Sequence, residues 1–206
     1  MKKEFYLTIL IIALIGVVLL LSLFERPKID TETSLVPTNT NKVVCVSNES
    51  YTAITQDNNG EVGSSILIKT KKNPGETITC AYTVAAEDFE LKDRDAEYFK
   101  SFAGNYLVTD TGTGPTVRGL TIYSIPEKTK IYEDGYLGWD ISTTTNSVSY
   151  WSASSPTAPK PTDQNCEDFT KNSEDGLVAH MAESVTLDLS TLKVTHTAKH
   201  KCIFTN

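Results

Sequence analysis

Residues 106–123 read YLVTDTGTGPTVRGLTIY. Two runs rich in Val, Ile, Leu, Thr and Tyr flank a short glycine- and proline-bearing segment. β-Branched and aromatic side chains fit a pleated, half-buried surface. Asp, Gly and Pro suit a turn: Gly takes positive φ freely, Pro presets its own φ, and Asp bonds nearby backbone. The stretch therefore predicts a strand over 105–110, a loop through Gly112, Gly114 and Pro115, and a return strand over 119–125.

The same grammar extends in both directions. Upstream, 43–47 (VVCVS), 51–55 (YTAIT), 65–70 (SILIKT) and 77–84 (TITCAYTV) alternate or run β-branched. Asp57-Asn58-Asn59-Gly60 and Asn73-Pro74-Gly75 separate them as turns. Downstream, strands are expected over 129–133, 139–142, 148–153, 183–189 and 193–204. Pro126-Glu127-Lys128, residues 143–146 and Ser190-Thr191 serve as their turns. Residues 93–102 (DRDAEYFKSF) place Ala96, Phe99 and Phe102 on one helical face and predict a helical turn or two. Residues 154–165 hold three prolines and predict a surface loop. Short strands at close spacing define the expected fold class: an all-β, small antiparallel sandwich or barrel with a short helical segment.

A different solvent governs the N-terminus. Residues 6–24 form a 19-residue run without a charge. At about 1.5 Å per residue a helix of that length covers roughly 28 Å, close to a bilayer core. The run exceeds the apolar region of a cleaved signal and ends without a small-x-small site, so an uncleaved transmembrane helix is expected. Lys2 and Lys3 precede it, which favours the N-terminus inside and the remainder outside. The expected division is a cytoplasmic stub (1–5), a transmembrane anchor (6–24), a linker (25–42) with two prolines, and an extracytoplasmic β domain (43–206).

The exported part is acidic. With Lys2, Lys3, Arg26, Glu4 and Glu25 set aside from the 19 basic and 26 acidic residues of the chain, 16 and 24 remain, a net −8. That charge argues against nucleic acid or anionic lipid as its partner. The four cysteines are Cys45, Cys80, Cys166 and Cys202. An even count in an exported domain suggests disulfides, and four cysteines allow three pairings. Cys45–Cys80 and Cys166–Cys202 is the favoured pairing, since it ties the early strands and pins the C-terminal one. A zinc site would want a close C-x-x-C pair, which the chain lacks, so no metal is expected.

Few residues name a chemistry. The triplet Asp110-Thr111-Gly112 resembles the one that carries the catalytic carboxylate of aspartic proteases. The resemblance implies an acid dyad formed by a dimer, because the chain holds one such triplet. Thr109 departs from the apolar residue that family places before the Asp, and a strand ending in a turn explains the same residues. The wider pattern D-x-G-T-x-P-x-x-R-G-L-x-I-Y, from Asp110 to Tyr123, resembles a segment of small exported bacterial proteins. That resemblance implies an exported β domain and carries no activity. His196 and His200 on one regular strand would stand about 13 Å apart, too far to share a metal unless the chain bends between them. No G-x-S-x-G elbow supports a serine nucleophile.

Aromatic residues gather at Tyr123, Tyr132, Tyr136, Trp139, Tyr150 and Trp151. Tyr150 and Trp151 are adjacent, so in one strand they point to opposite faces. Rings on an outer face can stack on sugars or anchor a protein. Trp139, Trp151 and Tyr136 are therefore candidate ligand-binding residues, and Arg118 either anchors the glycine loop or meets an anion. The expected function is a non-enzymatic binding or inhibitor-like module of the cell envelope, without a cofactor, whose partner is an envelope protein or glycan. The alternatives are an envelope hydrolase, most specifically a dimeric aspartic protease using Asp110, and a structural subunit of an envelope complex.

Overall fold

The computed structural model describes residues 42–205, apart from 59, 93–95, 115–116 and 164–165. The expected transmembrane helix, and all but the last residue of the linker, lie outside the described residues. Among the described residues no helix is long and apolar enough to cross a membrane.

The first sheet is antiparallel and follows chain order: β1 (Val43–Ser47), β2 (Tyr51–Asp57), β3 (Ser64–Thr70) and β4 (Phe89–Leu91). The second contains β5 (Glu97–Ala103), β6 (Tyr106–Thr111), β7 (Arg118–Ser124), β8 (Thr129–Tyr136), β9 (Ser142–Thr143), β10 (Ser147–Ser152), β11 (Val178–Asp188) and β12 (Lys193–Thr205). Its order is β12-β11-β10-β8-β7-β6-β5, with β9 also paired to β10. This larger sheet curls into a half-barrel. The expected all-β, antiparallel fold is therefore present, as a sandwich in which one sheet is curled.

Strand β6 explains how the layers stack. Successive strand residues face opposite sides. Leu107 packs against Tyr51, Ile66, Ile68 and Phe89 of the first sheet, whereas Val108 turns inward with Leu120, Ile122, Val148 and Tyr150. Both are 0% exposed, so β6 is covered on its two faces, and its buried stretch includes the polar Thr109 and Asp110 as well as Leu107 and Val108. Between the sheets one carboxylate is buried as well. Glu97 accepts hydrogen bonds from the Thr109 hydroxyl at 2.6 Å and the Tyr123 hydroxyl at 2.8 Å.

Both expected disulfides are formed, Cys45–Cys80 and Cys166–Cys202. They explain one expectation that fails. Residues 77–84 have strand composition but join no ladder. Cys80 is bonded to Cys45 instead, and local bonds run from Ala81 N to Thr79 O and from Thr83 N to Ala81 O. Strand propensity needs a neighbour to pair with, and here a covalent bond to β1 takes that place.

The helix expected over 93–102 is also corrected. Residues 97–103 form β5, and the described short helix lies elsewhere, at α1 (Phe169–Glu174). Phe99 and Phe102, three residues apart, would face opposite ways on a regular strand. A β-bulge resolves this: Phe99 pairs with Thr109 and Ser101 with Val108, which leaves Lys100 as the extra residue. The two rings then meet at 5.2 Å against the first sheet. The bulge imitates helical spacing. The strand expected over 139–142 shrinks to Ser142–Thr143, and Trp139 sits in the preceding loop.

Gly104 turns β5 into β6 with φ of 59°. A Cβ there would lie 2.5 Å from the Thr145 carbonyl oxygen. Gly104→Ala combines a left-handed backbone with that clash and is expected to destabilise the domain by about 2 kcal/mol or more. Urea unfolding of the variant, with the disulfides intact, measures it; a loss under about 0.5 kcal/mol would show that the 145 turn yields freely.

Candidate functional site

The site is assembled where the β5 bulge meets the β6–β7 hairpin. Asp110 stands at the end of β6, cross-strand from Leu120, on the inward face. Arg118 opens β7 two residues before Leu120 and faces the same way. Its Nε donates to Asp110 Oδ1 at 2.6 Å, and its Nη1 donates to the Gly114 carbonyl at 3.4 Å. Arg118 thus holds the glycine loop and neutralises a carboxylate whose side chain is only 3% exposed. The extra residue of the bulge, Lys100, brings its Nζ to 3.4 Å from Asp110 Oδ2. Bulges re-aim side chains in this manner.

Tyr136, cross-strand from Arg118, is fully buried. Its hydroxyl adjoins Asp110 and Arg118 without meeting hydrogen-bond geometry to a partner. Burial, followed by the Asp110 charge, pushes its ionisation well above the ordinary tyrosine range. Burial works against the Arg118 charge, but the bond to Asp110, the charge of Asp110 and the neighbouring Tyr136 together outweigh it and raise the pKa. Arg118 therefore stays cationic and Tyr136 neutral at neutral pH.

Above this base lies Trp139. It is 61% exposed, and its ring centroid is 4.7 Å from the Arg118 guanidinium carbon and 5.2 Å from Lys100 Nζ. Tyr98 approaches the same guanidinium at 5.9 Å, and its hydroxyl accepts from the Gly63 amide at 2.9 Å, which ties the site to the first sheet. These groups, with Val62, Phe99 and Thr113, line an open cleft of about 470 Å³. That size is typical of small-ligand sites.

Four of the five residues singled out in the sequence thus come together: Asp110, Arg118, Tyr136 and Trp139. Trp151 does not. It points away from its buried neighbour Tyr150 and lines a separate depression of about 370 Å³ with Asp140 and Ser149. Lys201 lies 5.8 Å from its ring. Sequence reasoning missed Lys100 and Tyr98 because it assigned both to a helix. The alternation of EYFKSFA was the signal, and the bulge concealed it.

Two other clusters bear on chemistry. Glu183 is 2% exposed, under a thin cover formed by the 154–157 segment and His196. It accepts bonds from the Ser155 and Thr157 hydroxyls, and His196 Nδ1 lies 3.0 Å from it. Ser155 Oγ is 3.4 Å from the same Nδ1. A nucleophilic triad uses different ring nitrogens for the hydroxyl and the carboxylate. Here one nitrogen faces both, so no proton relay is built. His196 and His200 flank a register break with Ala198 at φ 56°, so the chain does bend there. Among the described residues, no three His, Cys, Asp or Glu side chains gather around a metal-sized space.

The bonds from Ser155, then Thr157, then His196 lower the Glu183 pKa from the ordinary 4.5 to about 2. The folded value lies below the unfolded one, so this carboxylate contributes stability that is complete above about pH 5. That contribution falls away as pH drops from 4.5 through about 2. Glu183→Gln is therefore expected to flatten the acid limb of stability against pH in that window. Unfolding curves at stepped pH test this; an unchanged limb in the variant would mean other carboxylates set it.

Comparison with known proteins finds no matching family model, no matching curated protein and no matching solved structure.

Proposed function

We propose that this protein is a binding module of the cell envelope, anchored by a helix over 6–24 that holds the β domain outside the cytoplasmic membrane. The two disulfides support an oxidising compartment, as does the length of the apolar N-terminal run. The observation that carries the binding reading is Trp139, a largely exposed indole fixed over two cations at the mouth of a cleft. Tryptophan is a favoured anchor at binding surfaces, and a ring held rigid binds with little loss of side-chain freedom. A hydrolase built on Asp110 is disfavoured by the same geometry. A dyad shared by two copies needs a carboxylate open to its counterpart, and the Asp110 side chain is only 3% exposed. Asp110 instead faces Arg118 and Lys100.

The test is crosslinking in cells followed by pull-down of the intact chain, its Trp139→Ala variant, and the anchor and linker alone. A recurrent partner captured by the intact chain, reduced at least about tenfold in the variant and absent from the control, is expected. Capture unchanged by Trp139→Ala would remove the cleft from the account.

A further inference from the structure

We infer that the cleft binds an anionic saccharide: a pyranose ring stacked on the outer face of Trp139, with a carboxylate or phosphate substituent paired to Lys100. The inference rests on the binding role proposed above and names its ligand class. Three observations carry it.

The first is the local charge. Lys100 and Arg118 contribute two positive charges and Asp110 one negative, so the lining keeps one positive charge in a chain of net −7. The two cations are not equivalent. The Arg118 side chain is 7% exposed and holds Asp110 in the short contact, whereas that of Lys100 is 25% exposed and stands farther off, at 3.4 Å. Lys100 is the cation that can turn toward a ligand, and a charge-assisted bond to an anion is the strong interaction open to it.

The second is the state of the indole. The nearly buried Arg118 lies against one face of Trp139, which leaves the other to account for its 61% exposure. The negative face of an aromatic ring attracts cations and the partly positive C–H bonds that one side of a pyranose presents. With one face taken by Arg118, the exposed remainder of the ring is left for the sugar.

The third is scale. The cleft, about 470 Å³ and open, suits one or two sugar rings. A protein partner would want a broader apolar core than the exposed Trp139 and Val62, with the half-buried Tyr98 and Phe99, supply.

The experiment uses the full chain in detergent micelles and follows tryptophan fluorescence. The titrants are oligoglucuronate, a phosphate-bearing sugar (glucose 6-phosphate), a neutral oligoglucose, and inorganic phosphate alone. Trp151→Phe leaves Trp139 as the sole tryptophan and serves as the reference. One of the anionic sugars is expected to bind at least about tenfold more tightly than the neutral one. Lys100→Met should abolish that preference, Lys100→Arg should keep it, and Trp139→Phe or Trp139→Ala, followed by equilibrium dialysis, should weaken binding. Which anionic arm responds separates a carboxylate from a phosphate. Equal binding of neutral and anionic sugars, or binding of phosphate as tight as any sugar, would overturn the inference. So would the absence of sugar binding; a polypeptide captured through Trp139 in cells would then leave the binding role standing with a different ligand.

Discussion

Arg118→Met is expected to destabilise the β domain by about 3–5 kcal/mol, the range found when one partner of a buried ion pair is removed. The reason lies in what remains. Asp110, with its side chain 3% exposed, would lose its short ion pair and be left with only the longer Lys100 contact. The buried Tyr136 hydroxyl beside it makes no compensating hydrogen bond. The glycine loop would also lose its bond from Arg118 Nη1 to the Gly114 carbonyl. Removing both charges, with Asp110→Leu and Arg118→Met together, should recover much of the loss, because the cost comes from an unpaired charge rather than a missing attraction. Urea unfolding of the four proteins in this cycle measures the coupling. Additive losses would show that Asp110 and Arg118 act independently and that the base of the cleft is not a single unit.

Replacing Cys45 and Cys80 together by serine is expected to cost about 4 kcal/mol. The bridge spans 35 residues, and the chain-entropy model assigns roughly that value to such a loop. Local structure points the same way. Residues 71–88 contain no strand, and the turns within them are closed by short-range bonds such as Glu76 N to Asn73 O and Asp88 N to Ala85 O. Lys69 Nζ to Asp88 Oδ2 at 2.6 Å pins the far end, and the disulfide pins the middle to edge strand β1. Opening it should therefore expose 71–88 to protease before the rest of the domain unfolds. Limited proteolysis with mass mapping tests the order of events; first cleavage elsewhere would show that this segment is held by its own contacts.

The strands that could be read from sequence are those whose neighbours lie close in the chain. Residues 43–47, 51–57 and 64–70 pair in succession, so alternation and turn residues sufficed. Residues 106–124 did so for the same reason. The failures share one cause: a tertiary partner that the local pattern does not encode. Residues 77–84 carry strand residues and meet a disulfide. Residues 97–103 carry helical spacing and meet a bulge. Phe89–Leu91 is too short to stand out, yet pairs with β3. The candidate site was half legible for related reasons. Arg118 follows a glycine loop and Trp139 a glycine of its own, so both were conspicuous. Lys100 was one lysine among many until the bulge gave it a direction.

The measurement that tests the central claim most directly is site-specific photocrosslinking in cells. A photoreactive amino acid would replace Thr113, at the rim of the cleft, or Lys193, at the exposed start of β12. The account predicts a recurrent adduct from position 113 that disappears when Trp139→Ala is added, and none from position 193. Adducts from 193 alone, or adducts at 113 that persist without Trp139, would contradict it.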